Sequence, residues 1–227
     1  MYEENTLYPS AVNQQNNFIF RTFLWMFIGL AVTAACAWIT YESGLFWYFF
    51  YENTFTTLLV IELVVVIAFS FLFRKLPPIA VGILFFAYAV LNGVTLSVIF
   101  ILYQMSSIVI LFLAGAALFG GFAIYGYKTT SDMTRFGPML MITLIIAVVI
   151  SLINIFLLKS GVLEIVLDCG ILFLFFGITV YDMNKIKQWS MVSGDNKKMY
   201  IYGAMQLYLD FINIFLRLLS LFGKAKR

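Results

Sequence analysis

The chain has 227 residues, of which 63% are hydrophobic and 11% charged, and its mean hydropathy is +0.99. A soluble domain is about a quarter charged, so this composition excludes one and indicates a polytopic membrane protein. The net charge of +3 sits at the ends of apolar runs, as topology signals and snorkelling Lys and Arg do, and argues against a nucleic-acid partner. The chain has no histidine, and its two cysteines, Cys36 and Cys169, both lie inside apolar runs. That argues against zinc, haem or Cys/His nucleophile chemistry and for small buried thiols, so no cofactor is expected.

Residues 1–20 read as a polar, Asn/Gln-rich tail outside the membrane. The stretch "TAAC" (Thr33 to Cys36) is a faint lipoprotein-like signal, but the leader before it carries Glu3 and Glu4 and only Arg21 as a cation, so cleavage is not expected. Seven apolar segments follow, at 22–40, 55–73, 79–102, 107–127, 137–158, 162–183 and 200–222. Each approaches the roughly 20 residues a helix needs to cross a bilayer. Between them lie "YESG" and "YENT" around an aromatic interfacial patch at Phe46 to Tyr51, then "RKLPP", "YQMSS", "KTTSDMTRFGP", "LKSGVLE" and "KIKQWSMVSGDNKK". The short loops predict one compact all-α bundle over residues 21–223, followed by a basic tail, 224–227.

With seven spans, one face collects Arg21, Arg74, Lys75, Lys128, Arg135, Lys185, Lys187, Lys197 and Lys198, and the other Lys159, Lys224, Lys226 and Arg227. The positive-inside rule then predicts a cytoplasmic amino terminus.

A charge at the bilayer centre costs at least about 2.5–3.5 kcal/mol, so a buried one is a functional hypothesis by default. Glu62, Asp168, Asp182, Asp210 and Arg217 are such residues, with Glu164 near an end. Helical spacing sorts them. Gly203, Gln206, Asp210, Asn213 and Arg217 make one stripe down the last segment, and Glu164, Asp168, Leu172, Phe175, Thr179 and Asp182 one down the sixth. Lipid cannot satisfy such stripes, so they must face protein or water. Thr143, Ser151 and Asn154 in the fifth segment and Asn92 and Thr95 in the third would complete the interior. Each residue also has a structural reading: Asn92 and Asn154 as interhelical glue, Glu62 as a bonded interface carboxylate, Asp182 as a helix-end residue near Lys185.

Several stretches together resemble the transmembrane Bax inhibitor motif family from about Arg21 to Gly223. They are "RTFLWMFIGLAVTAACA", "LNGVTLSVIFILY", "YGYKTTSDMTRFGPML", "ISLINIF" and, most specific, "TVYDMNKIK" and "LYLDFINIFLRLL". Met183 departs from the threonine that many members carry after Tyr-Asp. The resemblance implies seven transmembrane helices, two triple-helix layers around a central seventh. It also implies a pH-sensitive calcium leak in bacterial members and cell-death suppression with organellar calcium tuning in eukaryotic ones, and so a bacterial cytoplasmic membrane as the expected location, with an endoplasmic reticulum or other organellar membrane as the alternative. The family's paired aspartates fall on Asp182 and Asp210, its second-helix glutamate on Glu62, and a basic latch in some members on Arg74 or Lys75.

Physics agrees with that reading. Two carboxylates close together in a poorly solvated site do not ionise together easily, so they hold a proton as a pair. Calcium takes about six to eight oxygen ligands; Asp182 and Asp210 with Gln206, Asn213 and waters would make a weak site, as conduction needs. Asp168, Glu62 and Arg217 are further candidates for lining the pathway. One geometric condition attaches. A seventh helix starting near Tyr200 puts Asp210 about 15 Å down it, so the pair meets only if the sixth helix runs on through Lys187 or the seventh begins outside the hydrocarbon.

The expected partners are calcium ions and the bilayer, with protein partners open. Rival readings are a regulatory membrane protein acting through partners and a cation/proton exchanger using the same carboxylates. An intramembrane aspartyl protease shares "YD" but wants Gly-x-Gly-Asp where this chain has "LYLD", and no enzymatic activity is expected.

Overall fold

The structure, a computed structural model, describes residues 4–50, 54–73, 75–192 and 196–226. Its elements are α1 (Glu4–Glu42), α2 (Phe46–Phe50), α3 (Thr54–Leu72), α4 (Pro78–Leu96), α5 (Ile99–Leu102), α6 (Met105–Lys128), α7 (Gly137–Ile153), α8 (Gly161–Val192) and α9 (Lys197–Phe222). Among the described residues the only extended pairing is a single bridge between Tyr103 and Ala225. An all-helical chain is what lipid demands, because helices satisfy their own backbone donors and acceptors.

The breaks have local causes. Pro78 occupies the first turn of α4, where a missing N–H costs nothing. Pro138 does the same in α7. Ser97 turns its hydroxyl back to the Val94 carbonyl at 2.7 Å where α4 gives way to α5. α1 takes in most of the polar tail and carries the buried Phe18 against Tyr200.

Among the described residues six helices are long and apolar enough to cross a membrane: Asn13–Glu42, Pro78–Leu102, Met105–Lys128, Thr134–Leu158, Gly161–Val192 and Lys197–Phe222. The stretch expected as the second span is helical, but its described apolar part, Val60–Leu72, is shorter than a full crossing.

The chain divides into two compact units. The first comprises residues 1–104, 189–208 and 225–227, the second residues 105–188 and 209–224. One boundary falls at the break "YQMSS", where α5 ends and α6 begins, and others fall within α8 after Gln188 and within α9 after Tyr208.

In the first unit α1 and α4 pack closely, and glycines permit it. A Cβ on Gly93 would stand 2.6 Å from the Thr33 carbonyl oxygen and 2.7 Å from Cys36 Cβ. Tyr202 stacks on Phe73, with ring centres 3.8 Å apart, and meets Trp189 at 5.7 Å. In the second unit Gly126 brings α6 against α8 at Val180, and Phe211 of α9 meets Phe112 and Phe119 of α6 edge to face. α7 is the opposite case: Met139, Ile142, Ile145 and Val149 are all exposed, as suits a face in contact with hydrocarbon.

Candidate functional site

The sixth-segment stripe is a buried face of α8: Asp168, Leu172, Phe175, Thr179 and Asp182 are all buried. Only Glu164, in the first turn, is exposed. On α9 Gly203 and Asp210 are buried, and Gln206, Asn213 and Arg217 are half-buried. Thr143 does not join them. It is exposed and bonded to its own Met139 carbonyl, because it stands on the lipid face of α7.

Asp182 and Asp210 come together within the second unit. The charge of Asp182 reaches Asp210, and both feel Lys185. Thr179, one turn before Asp182, serves the Asp210 carboxylate and bonds the Phe175 carbonyl at 2.8 Å. Asp210 Oδ2 is buried with no hydrogen-bond partner among the described residues.

The condition on depth is met by the length of α8. It runs on to Val192, so Asp182 lies about 15 Å from that end. α9 begins at Lys197, which puts Asp210 about 20 Å from its start. The polar continuation of α8 is held in place by its own bonds. Asn184 Nδ2 donates to the Gly126 and Ser131 carbonyls, Asn184 Oδ1 accepts from Met133 N–H, and Lys187 donates to the Thr129 carbonyl.

In the same unit Arg217 does not pair with Asp210. Its guanidinium pairs with Asp168 on α8, and the Ser220 hydroxyl donates to the other oxygen of that carboxylate. These three, with Lys159, Glu164 and Asn154, line a cavity of about 360 Å³.

Glu62, Asn92 and Thr95 form a separate network in the first unit. The Thr95 hydroxyl donates to Glu62 Oε1, and the Asn92 side chain also bonds that carboxylate. Tyr208 donates to Asn92 Oδ1 at 3.0 Å and lies 2.7 Å from the Thr33 hydroxyl. The sequence reading missed Thr33 and Tyr208. The available signal was a tyrosine deep in an apolar helix, whose hydroxyl must find a partner.

Of the proposed latch, Lys75 is exposed in the turn after α3. Arg74 lies outside the described residues, as do Tyr51 and Arg227. Both cysteines are free and half-buried. Among the described residues no three or more Asp, Glu, Cys or His side chains gather as a metal cluster.

The arrangement is thus a buried acid pair, a buried carboxylate in a hydroxyl–amide network, and an ion pair beside a cavity, all carried on long apolar helices. The family model described as "Inhibitor of apoptosis-promoting Bax1" matches residues 15–227. The chain belongs to this family. Among its relatives, the "Inner membrane protein YbhL" of Escherichia coli K12 is 37% identical over 209 residues, covering 89% of each chain. An uncharacterized protein of Borreliella burgdorferi is 34% identical over 93% of this chain and 94% of its own. An uncharacterized membrane protein of Streptococcus pyogenes is 32% identical over 97% and 98%. Family membership agrees with the resemblance in "TVYDMNKIK" and "LYLDFINIFLRLL", the stretches that carry Asp182 and Asp210.

Proposed function

We propose that this protein is a pH-sensitive cation leak in a bacterial cytoplasmic membrane, with calcium as the carried ion and Asp182 and Asp210 as the proton-responsive pair. The observation that carries the reading is the meeting of these two buried carboxylates, one from each of two long helices, with Asp210 Oδ2 left unbonded. Two such groups away from water hold a proton as a pair, and a cation competes for the same oxygens. Two carboxylates fall well short of a full calcium shell, so binding is weak enough for release. Asn213 and the Asp168–Arg217 pair continue the polar face along α9 and α8, and Glu62 supplies a further buried acid.

In this reading α3 makes a seventh crossing, three helices pack on either side of α9, the amino terminus is cytoplasmic, and the protein is neither an enzyme nor a cofactor carrier. The family match, the burial of α9 and the name of the Escherichia coli relative, an inner membrane protein, support it.

The test is calcium flux into liposomes containing the purified protein, followed across pH. Flux that changes with pH, and becomes the same at every pH in Asp210→Asn, is the expected result. No flux above empty liposomes at any pH overturns the leak in favour of a regulatory protein. Stoichiometric counter-movement of protons overturns it in favour of an exchanger.

A further inference from the structure

We propose that the cavity where α7 gives way to α8 binds a zwitterionic phospholipid headgroup carrying a phosphate and a primary ammonium. The inference is independent of the leak reading and concerns a different end of α8 from Asp182.

The cavity, about 360 Å³, has the size of a small-ligand site. Its wall carries two cations, Lys159 and Arg217, and two carboxylates, Glu164 and Asp168. That balance selects the occupant. A phosphate alone would face two carboxylates, and a bare metal ion would face two cations. Asp168 is already taken by Arg217 and Ser220, but the Arg217 side chain keeps 33% of its surface accessible. Lys159 and Glu164 are exposed and remain to meet a ligand of mixed charge. Lys159 and the open edge of Arg217 suit the phosphate, and Glu164 suits the ammonium. No aromatic ring is among the described lining residues, and a ring is what a quaternary ammonium would want, so a primary amine fits better.

Position identifies a lipid as the source. Lys159 follows directly on the candidate span Thr134–Leu158, and the next span begins at Gly161, which puts the cavity at headgroup level. Ile155 lines it and is 61% exposed, with Leu157 and Leu158 exposed beside it, a path for acyl chains.

The corner is built rigidly. α7 ends in a widened turn, Asn154–Leu158, of a kind found often at functional sites. The Asn154 side chain then grips Ser160 twice, accepting from its N–H at 3.0 Å and donating to its carbonyl at 3.1 Å. Between them Lys159 is held in the left-handed region at φ 49°, an unfavourable place for a lysine unless its position matters.

The experiment is native mass spectrometry of the detergent-purified protein with equal amounts of dioleoyl phosphatidylethanolamine, phosphatidylcholine and phosphatidylglycerol. Phosphatidylethanolamine adducts should exceed the others about five-fold, the worth of one charge-assisted contact. Lys159→Asn, which tolerates the left-handed backbone, should reduce them. Glu164→Gln should remove the preference over phosphatidylcholine, and Glu164→Lys should turn it toward phosphatidylglycerol. Both positions are exposed, so the fold is retained. Equal adducts of all three lipids, or an unchanged preference in Glu164→Gln, overturns the proposal. Displacement of the lipid by an equal concentration of soluble phosphoethanolamine overturns the lipid as the source.

Discussion

Tyr208 shows how a single hydroxyl is accounted for in a helix with no water. It has no exposed surface, donates to Asn92 and lies beside Thr33, joining α9, α4 and α1 of the first unit. Tyr208→Phe leaves Asn92 Oδ1 without that donor and should lower stability by about 1 kcal/mol, read by thermal unfolding in detergent. Thr33→Ala in the same background should add less than it costs alone, because the two residues share one contact. Asp132, in the loop outside the spans, offers a test by titration. Bonds from the Thr134 hydroxyl and N–H, helped by Gln188 and the charge of Arg135, hold its carboxyl below the ordinary 3.8. A lowered value means that the loop contribution is complete above 3.8 and is lost as pH falls through the lower, folded value. The exchange protection of the Thr134 amide should therefore hold down to that point and then fall, and Asp132→Ala should lose it at every pH. At this scale the stripes were legible, since period alone put Asp168, Thr179 and Asp182 on one face. Their partners were not. Nothing in the spacing distinguished Asp168 from other partners for Arg217, because that choice lies across helices.

Among the elements, the helices were legible from hydropathy, and their extensions were not. α8 outruns its apolar segment because its polar last turns bond the loop through Asn184 and Lys187, contacts that no hydropathy window registers. Helix contacts depend on glycine at particular places. Gly93→Ala and Gly126→Ala would drive a Cβ to 2.6 Å from the Thr33 carbonyl oxygen and 2.5 Å from the Val180 carbonyl oxygen. Backbone cannot easily give way, so each should cost about 1–3 kcal/mol. Gly121 has nothing within 4 Å of its added Cβ, and Gly121→Ala should be neutral or gain up to about 1 kcal/mol from helix propensity. Thermal unfolding of the three variants checks both halves of the argument.

At the scale of the whole molecule, the reconstituted flux assay carries the decision, because a leak is a property of the entire bundle in a bilayer. Asp182→Asn and the double variant should behave like Asp210→Asn if the pair acts as a unit, and additive effects would assign the two residues separate roles. Composition alone determined that this chain lives in a membrane, since an 11% charged chain has too little polar surface for water. The Tyr-Asp and Leu-Asp stretches determined its family, which the match over residues 15–227 bears out. Only the tertiary structure decided that the chain divides into two compact units, that Arg217 pairs with Asp168, and that the charge of Asp182 reaches Asp210. The reason is physical. Periodicity specifies which residues share a face of one helix, whereas depth and pairing depend on where helices end and how closely they pack.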